Sequence, residues 1–188
     1  MPKPSARSGL LVLILFVAAI AAATASSAPA PDFVLSDQHG HDFKLSRERG
    51  KPVVLFFGYT HCPDVCPTIL ANLKRARERT GPKGADTVVA LITVDPKRDS
   101  EAELGRYVSV FDPSFLGLRG SDAQLNAVYR AYHVRFQKQV ESPGDYQISH
   151  TAFVYYIGRD GRIAALGLWS DGQPILQRSL AAIANSRR

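Results

Sequence analysis

The sequence predicts an α/β domain, and three observations predict it. Continuous apolar runs at residues 53–59, 87–94 and 151–157 have the length and the β-branched or aromatic content of strands buried on both faces. Apolar residues at helical spacing lie between the runs, as in Ile69, Leu70, Leu73 and Ala76. Turn-forming residues punctuate the boundaries, among them Gly81-Pro82, Asp95-Pro96 and Asp160-Gly161.

Each element follows in chain order. Residues 33–35 and 42–45 flank a polar turn and read as a short hairpin. The run 53–59 starts after Pro52 and is the first core strand. Pro67 suits the first residue of a helix, which carries Lys74, Arg75, Arg77 and Arg79 opposite its apolar face and ends at Gly81-Pro82. The strand 87–94 stops at Asp95-Pro96. Ser100 caps a helix running to about residue 111, with Glu103 placed to complete a capping box. Residues 115–118 form a short strand, and 122–132 a helix carrying Leu125, Val128 and Tyr129. The segment 134–149 is less regular, with alternation at Val134 and Phe136 and a turn at Pro143-Gly144. Strand 151–157 and strand 163–168 form a hairpin around Arg159-Asp160-Gly161, and 174–184 is a terminal helix. This order fits a thioredoxin-like fold with an N-terminal β-hairpin and an insertion before the C-terminal β-hairpin.

The N-terminus is a different kind of segment. Lys3 and Arg7 precede an uncharged apolar stretch at 10–23, and Ala23-Thr24-Ala25 has the small-residue pattern of a processing site. Residues 1–25 therefore read as an export signal peptide. Retained, the segment is a membrane anchor, short against the roughly 20 residues that spanning requires. Residues 26–188 are the length of one domain with a single core. Leaving Lys3 and Arg7 out of the 23 basic residues gives 21 against 17 acidic ones, a charge of +4. The excess sits on solvated helix faces and at Arg130, Arg135 and Lys138, without the interleaved aromatics of a nucleic-acid surface. It suits an acidic partner or an anionic membrane.

The chain has 2 cysteines, both in the run Gly58-Tyr59-Thr60-His61-Cys62-Pro63-Asp64-Val65-Cys66-Pro67. A bridge between them would close a loop so small that its entropic stabilisation is only about 2 kcal/mol, which argues against a purely structural staple. Strand, dithiol loop and helix together point to a soft-metal or redox site. Pro63 and Pro67 disfavour helical backbone at Cys62 and Cys66, so the thiols are expected to flank a kinked loop. Cys66 then lies beside the helix N-terminus, where the dipole and free amides favour thiolate.

Two thiolates leave a metal under-coordinated, and the chain has 5 histidines. His39 and His41 flank a turn glycine, His61 adjoins Cys62 awkwardly for joint ligation, and His133 ends a helix. His150 immediately precedes the strand 151–157, where a thioredoxin-like fold presents its cis-proline loop to the dithiol. Here that place reads Ser149-His150-Thr151, without proline, which turns the groove into a Cys2His site. Zinc fits such a donor set, but no general base stands ready to use a bound water. Asp95 lies at the carboxyl end of its strand, the edge where α/β sheets place their sites. A plain turn-capping role explains Asp95 equally well.

The run GYTHCPDVCPTIL at 58–70, the segment TVDPKRD at 93–99, and His150 followed by Thr151-Ala152-Phe153 closely resemble the Sco/SenC family of cytochrome c oxidase copper chaperones. The resemblance covers roughly residues 31–185. It implies a thioredoxin-like fold, attachment to the membrane on its periplasmic side, and one copper held by Cys62, Cys66 and His150. It further implies that Asp95 supports the site or the partner surface. The implied partners are the copper-bearing subunit of cytochrome c oxidase and other copper chaperones. The chemistry agrees, because thiolates select Cu(I) while the imidazole also permits Cu(II).

Three functions compete on these residues. The first is a copper-binding assembly factor that loads or prepares the binuclear copper site of the oxidase. The second is a thiol-disulfide oxidoreductase acting through Cys62 and Cys66 on the cysteines of that site. The third is a thiol peroxidase, suggested by Ala30-Pro31-Asp32-Phe33. Its P-x-x-x-T-x-x-C motif would need proline and threonine where Leu55 and Tyr59 stand, and it is set aside.

Overall fold

The computed structural model describes residues 28–142, 145–168 and 172–186. The segment 1–25, read above as signal or anchor, and the turn at Pro143-Gly144 lie outside these. Among the described residues no helix is long and apolar enough to cross a membrane.

A five-stranded sheet organises the chain. Strands β1 (Val34–Ser36) and β2 (Asp42–Lys44) form the N-terminal hairpin, followed by a 3-10 turn at Leu45–Glu48. Next come β3 (Val53–Gly58), the helix α1 (Val65–Arg79), a short helix α2 (Pro82–Ala85) and β4 (Val88–Thr93). Then follow α3 (Glu101–Ser109), β5 (Leu116–Leu118) and α4 (Asp122–Ala131). The inserted hairpin β6 (Phe136–Ser142) and β7 (Asp145–His150) precedes β8 (Phe153–Ile157), β9 (Ile163–Leu168) and α5 (Gly172–Ala184). The main sheet has the order β5-β4-β3-β8-β9, with β3, β4 and β5 parallel and β8 and β9 antiparallel. This is the thioredoxin-like fold that the sequence predicts.

The apolar runs explain the sheet. Every residue of β3 is buried, as a strand covered on both faces requires. Its register, Val53 opposite Val88 and Gly58 opposite Thr93, brings the ends of β3 and β4 to one edge. Phe57 packs among Tyr129, Tyr132 and Tyr155 at ring separations of 6.4, 5.7 and 5.9 Å. Leu70, Leu73 and Ala76 of α1 are buried, and α1 packs beside α5.

Four local expectations are corrected. Helix α1 begins at Val65, so Pro67 is its third residue and Cys66 lies inside the helix rather than in a kinked loop. The first helical hydrogen bond runs from the Thr68 amide to the Asp64 carbonyl, so the donor that Pro67 lacks would have had no partner anyway. The irregular segment 134–149 is a hairpin whose two strands pair only with each other among the described residues. It is solvated on both faces of β6, which erases the alternation that marks a half-buried strand. His150 ends β7 opposite Phe136, and Thr151 and Ala152 separate it from β8. Finally, Ser100 accepts from the Glu103 amide, but the Glu103 carboxylate turns to Arg106. The complete capping box stands instead at Ser121 and Gln124.

Candidate metal and dithiol centre

The site lies at the carboxyl edge of β3 and β4, where parallel strands hand over to loops and the helix α1 begins. The turn after β3 is closed by the Cys62 amide, which donates to the Tyr59 carbonyl at 3.3 Å. The Cys66 amide, in the first turn of α1, donates to Cys62 Sγ at 3.4 Å. Both cysteines are free thiols; Cys66 is fully buried and Cys62 half-buried.

The proton is shared unequally. The Cys66 thiol hydrogen-bonds to Cys62, which outweighs partial burial and lowers the Cys62 pKa to about 5. The same hydrogen bond, with burial, pushes Cys66 well above the ordinary thiol range. This reverses the expectation that Cys66 is the thiolate. The Cys66 amide, in the first turn of the helix, points at the Cys62 sulfur, so the anion that the helix N-terminus favours sits one turn earlier.

The structure brings His150 to this pair. His150 Nε2 stands 4.0 Å from Cys66 Sγ. Its Nδ1 lies 3.1 Å from the Thr151 carbonyl oxygen, which can only accept, and this assigns the proton to Nδ1. The Nε2 lone pair is thereby turned toward the thiols, the arrangement in which a carbonyl orients a ligating imidazole. A sulfur and a nitrogen sharing one ion, at zinc-like bond lengths of about 2.3 and 2.0 Å, stand no more than about 4.3 Å apart. The observed separation falls inside that reach. Among the described residues no group of three or more Cys, His, Asp and Glu side chains is closed around a metal position. Two sulfurs and an imidazole nitrogen are the donor types that soft ions such as Cu(I) and Zn take.

The other histidines stand elsewhere. His39 and His41 are exposed on the β1–β2 turn, where Asp37 Oδ1 accepts from both of their amides. His61 is exposed and its Nδ1 faces Thr60 Oγ1 at 3.0 Å. His133 follows α4 with a φ of 53° and is exposed.

Asp95 does not touch the cysteines. It is buried, its Oδ1 accepts from the Tyr146 hydroxyl at 2.8 Å, and its Oδ2 pairs with Arg98. The Arg98 guanidinium lies 3.6 Å from the centre of the Tyr146 ring. Asp95 thus fastens β7, the strand that ends in His150, to the loop after β4.

Three further residues shape the site and were not singled out from the sequence. Asp99 is completely buried and accepts from the hydroxyls of Thr60 and Thr93 at 2.6 Å each, holding the loop that leads to Cys62. Burial raises its carboxyl pKa, against the pull of those hydrogen bonds. Gly58 lets the Cys66 sulfur approach β3, since a Cβ there would lie 2.8 Å from Sγ. The buried Tyr59 accepts from the Ile148 amide at 3.1 Å and donates to Gln147 Oε1 at 2.8 Å. Its ring meets that of His150 edge-on, centroids 6.1 Å apart. Asp99 had one visible signal, a second aspartate four residues after Asp95 in the loop leaving a buried strand.

Fold and site together define a thioredoxin-like domain with a dithiol turn and an imidazole facing it from an inserted hairpin. The sequence profile described as SCO1/SenC matches residues 21–184, and the chain belongs to that family. It is 34% identical over 162 residues to a putative copper-binding protein of Stutzerimonas stutzeri, covering 84% of this chain and 78% of that one. It is 40% identical over 133 residues to the mitochondrial SCO2 homolog of Bos taurus, covering 69% of this chain but half, 50%, of the bovine protein. Among solved structures, Bradyrhizobium japonicum ScoI with copper bound superposes with a TM-score of 0.75 at 36% identity, covering 83% of this chain and 99% of that one.

Proposed function

We propose that this protein is an exported copper carrier that loads or prepares the binuclear copper site of cytochrome c oxidase. Cys62, Cys66 and His150 are its metal ligands, and Asp95 supports them through Tyr146. The observation that carries this reading is the approach of His150 Nε2 to Cys66 Sγ, with Nδ1 turned away to the Thr151 carbonyl. An imidazole so oriented is of no use to a simple disulfide and is what a metal requires. The copper-bound ScoI relative supports the choice of metal.

Copper is cargo here, and the donor set explains how one site takes it in two states. Two thiolates suit Cu(I), and the imidazole adds the nitrogen donor that Cu(II) prefers. Binding needs both sulfurs as thiolates, so it displaces the proton that Cys66 holds. Residues 26–188 act as the copper-binding domain, and residues 1–25 direct export to the periplasmic side of the membrane as signal or anchor. Copper titration of the purified full chain tests the reading: one equivalent is expected, with loss of binding in the Cys62→Ser, Cys66→Ser double variant. Full-affinity binding by that variant would overturn it.

The unequal thiols favour a second activity at the same place, reduction of the recipient's disulfide. A thiolate at Cys62 with a protonated Cys66 behind it is the arrangement of an attacking and a resolving thiol. Cys62 would attack the target disulfide to form a mixed disulfide. Cys66, giving up its proton, would then displace the target thiolate and leave the Cys62–Cys66 bridge. That reaction needs both cysteines and not His150, so the His150→Ala variant separates the two activities.

A further inference from the structure

Tyr59 grips both halves of the site. Its carbonyl oxygen accepts from the Cys62 amide at 3.3 Å and so closes the dithiol turn. Its hydroxyl accepts from the Ile148 amide and donates to Gln147 Oε1, both on β7 and within three residues of His150. The ring, fully buried, lies edge-on to the imidazole at an interplanar angle of 78°. The hairpin β6–β7 pairs with no strand of the main sheet among the described residues, so these bonds do what a sheet ladder would otherwise do. The second fastening, Tyr146 to Asp95, lies four residues from His150 and on a half-buried side chain.

We propose that Tyr59 is the positioning residue of the centre: its hydroxyl holds β7 in the place from which His150 faces the cysteines. A phenylalanine here would keep the ring, the packing and the closed dithiol turn while releasing the hairpin. The imidazole would then sample positions away from the thiols, and the histidine contribution to binding would fall while the thiolate contribution stayed. The proposal rests on the copper-carrier reading for its consequence, but its structural core concerns the metal-free protein.

The test is Tyr59→Phe in the full chain, with Gln147→Ala as the milder variant that removes one partner and leaves Tyr59 intact. In metal-free protein, amide exchange at Ile148 should speed up about tenfold, the scale set by one net hydrogen bond. The ring resonances of His150 should move toward those of a free imidazole, while exchange in β3 and β4 stays unchanged. With copper, Cu(II) affinity should fall about tenfold and its nitrogen hyperfine pattern should change, with Cu(I) affinity preserved. Gln147→Ala should move the same signals less. Unchanged Ile148 exchange and unchanged His150 resonances in Tyr59→Phe would overturn the proposal. A wild type that takes up no copper would instead sink the copper reading, and the metal-free measurements would still decide the role of Tyr59.

Discussion

Gly58, the last residue of β3, lies so close beneath Cys66 that a Cβ added to it would come within 2.8 Å of the Cys66 sulfur. The same methyl would press on Phe56 at 2.9 Å and Leu91 at 3.1 Å. The buried thiol is therefore seated on a glycine-sized gap in the sheet. Gly58→Ala should destabilise the fold by about 1–3 kcal/mol, the usual cost of an overpacked core. It should also weaken copper binding by moving Cys66 away from His150. Thermal unfolding and a Cu(I) competition titration check both effects; full copper affinity in a destabilised protein would show that the thiol tolerates the shift.

The unequal thiols predict a pH profile for alkylation. The depressed pKa of Cys62 means that the folded protein presents a thiolate above about pH 5. Iodoacetamide labelling of metal-free protein should rise through that region and level off well before neutrality, with the adduct on Cys62 and Cys66 spared. Peptide mapping by mass spectrometry reads the site. A midpoint near the ordinary thiol value, about 8.5, would remove the case for a stabilised Cys62 anion.

Linkage gives that anion a second consequence. A group whose folded pKa is depressed contributes stability above its unfolded pKa and loses it as pH falls through the folded value. Reduced protein should accordingly lose stability toward pH 5, and Cys62→Ser should lose less over the same window. Urea unfolding of both proteins between pH 5 and 9 measures the difference. Parallel curves would count against the assignment.

Stabilising the reduced, anionic form also raises the potential of the pair. The Cys62–Cys66 disulfide should be reversible and moderately oxidising, above the roughly −300 mV typical of inert structural bridges. A glutathione redox titration of metal-free protein measures it. A more negative value would assign the bridge to structure.

His150→Ala should leave the fold and the disulfide potential intact, because the residue ends a two-stranded hairpin outside the main sheet. Cu(II) binding should be lost while Cu(I) persists on the two sulfurs, and oxidase assembly in cells should fail. Unchanged Cu(II) spectra together with normal assembly would leave the thiol reductase as the better reading.

Much of this was legible in the chain itself. Strands β3, β4 and β8 announce themselves through apolar runs of strand length, rich in β-branched and aromatic residues and bounded by Pro, Gly or Asp-Pro, and Cys62 and Cys66 are the only thiols. The hairpin carrying His150 was not legible. Strand β6 is solvated on both faces and β7 is held by tertiary contacts to Tyr59, Asp95 and Arg98, so their pairing leaves no regular alternation to read. The start of α1 was misplaced because a proline rule about local backbone says nothing of a missing donor that costs no hydrogen bond.

The sequence by itself indicated the fold class and the dithiol, because periodicity and residue identity are local properties, while His150 stood out by its place before a core strand and by the family resemblance. Only the tertiary structure distinguishes the two thiols: Cys62 accepts from the Cys66 amide, which favours its thiolate, and Cys66 is buried, which favours its thiol. Sequence-local reasoning placed the helix dipole at Cys66. The direction of the hydrogen bonds from the Cys66 amide and thiol, set once the helix is packed on Gly58, moves the charge to Cys62. Tertiary structure likewise recruited Asp99 and Tyr59, whose partners lie 39 and 89 residues away in the chain and are adjacent only after the sheet has formed.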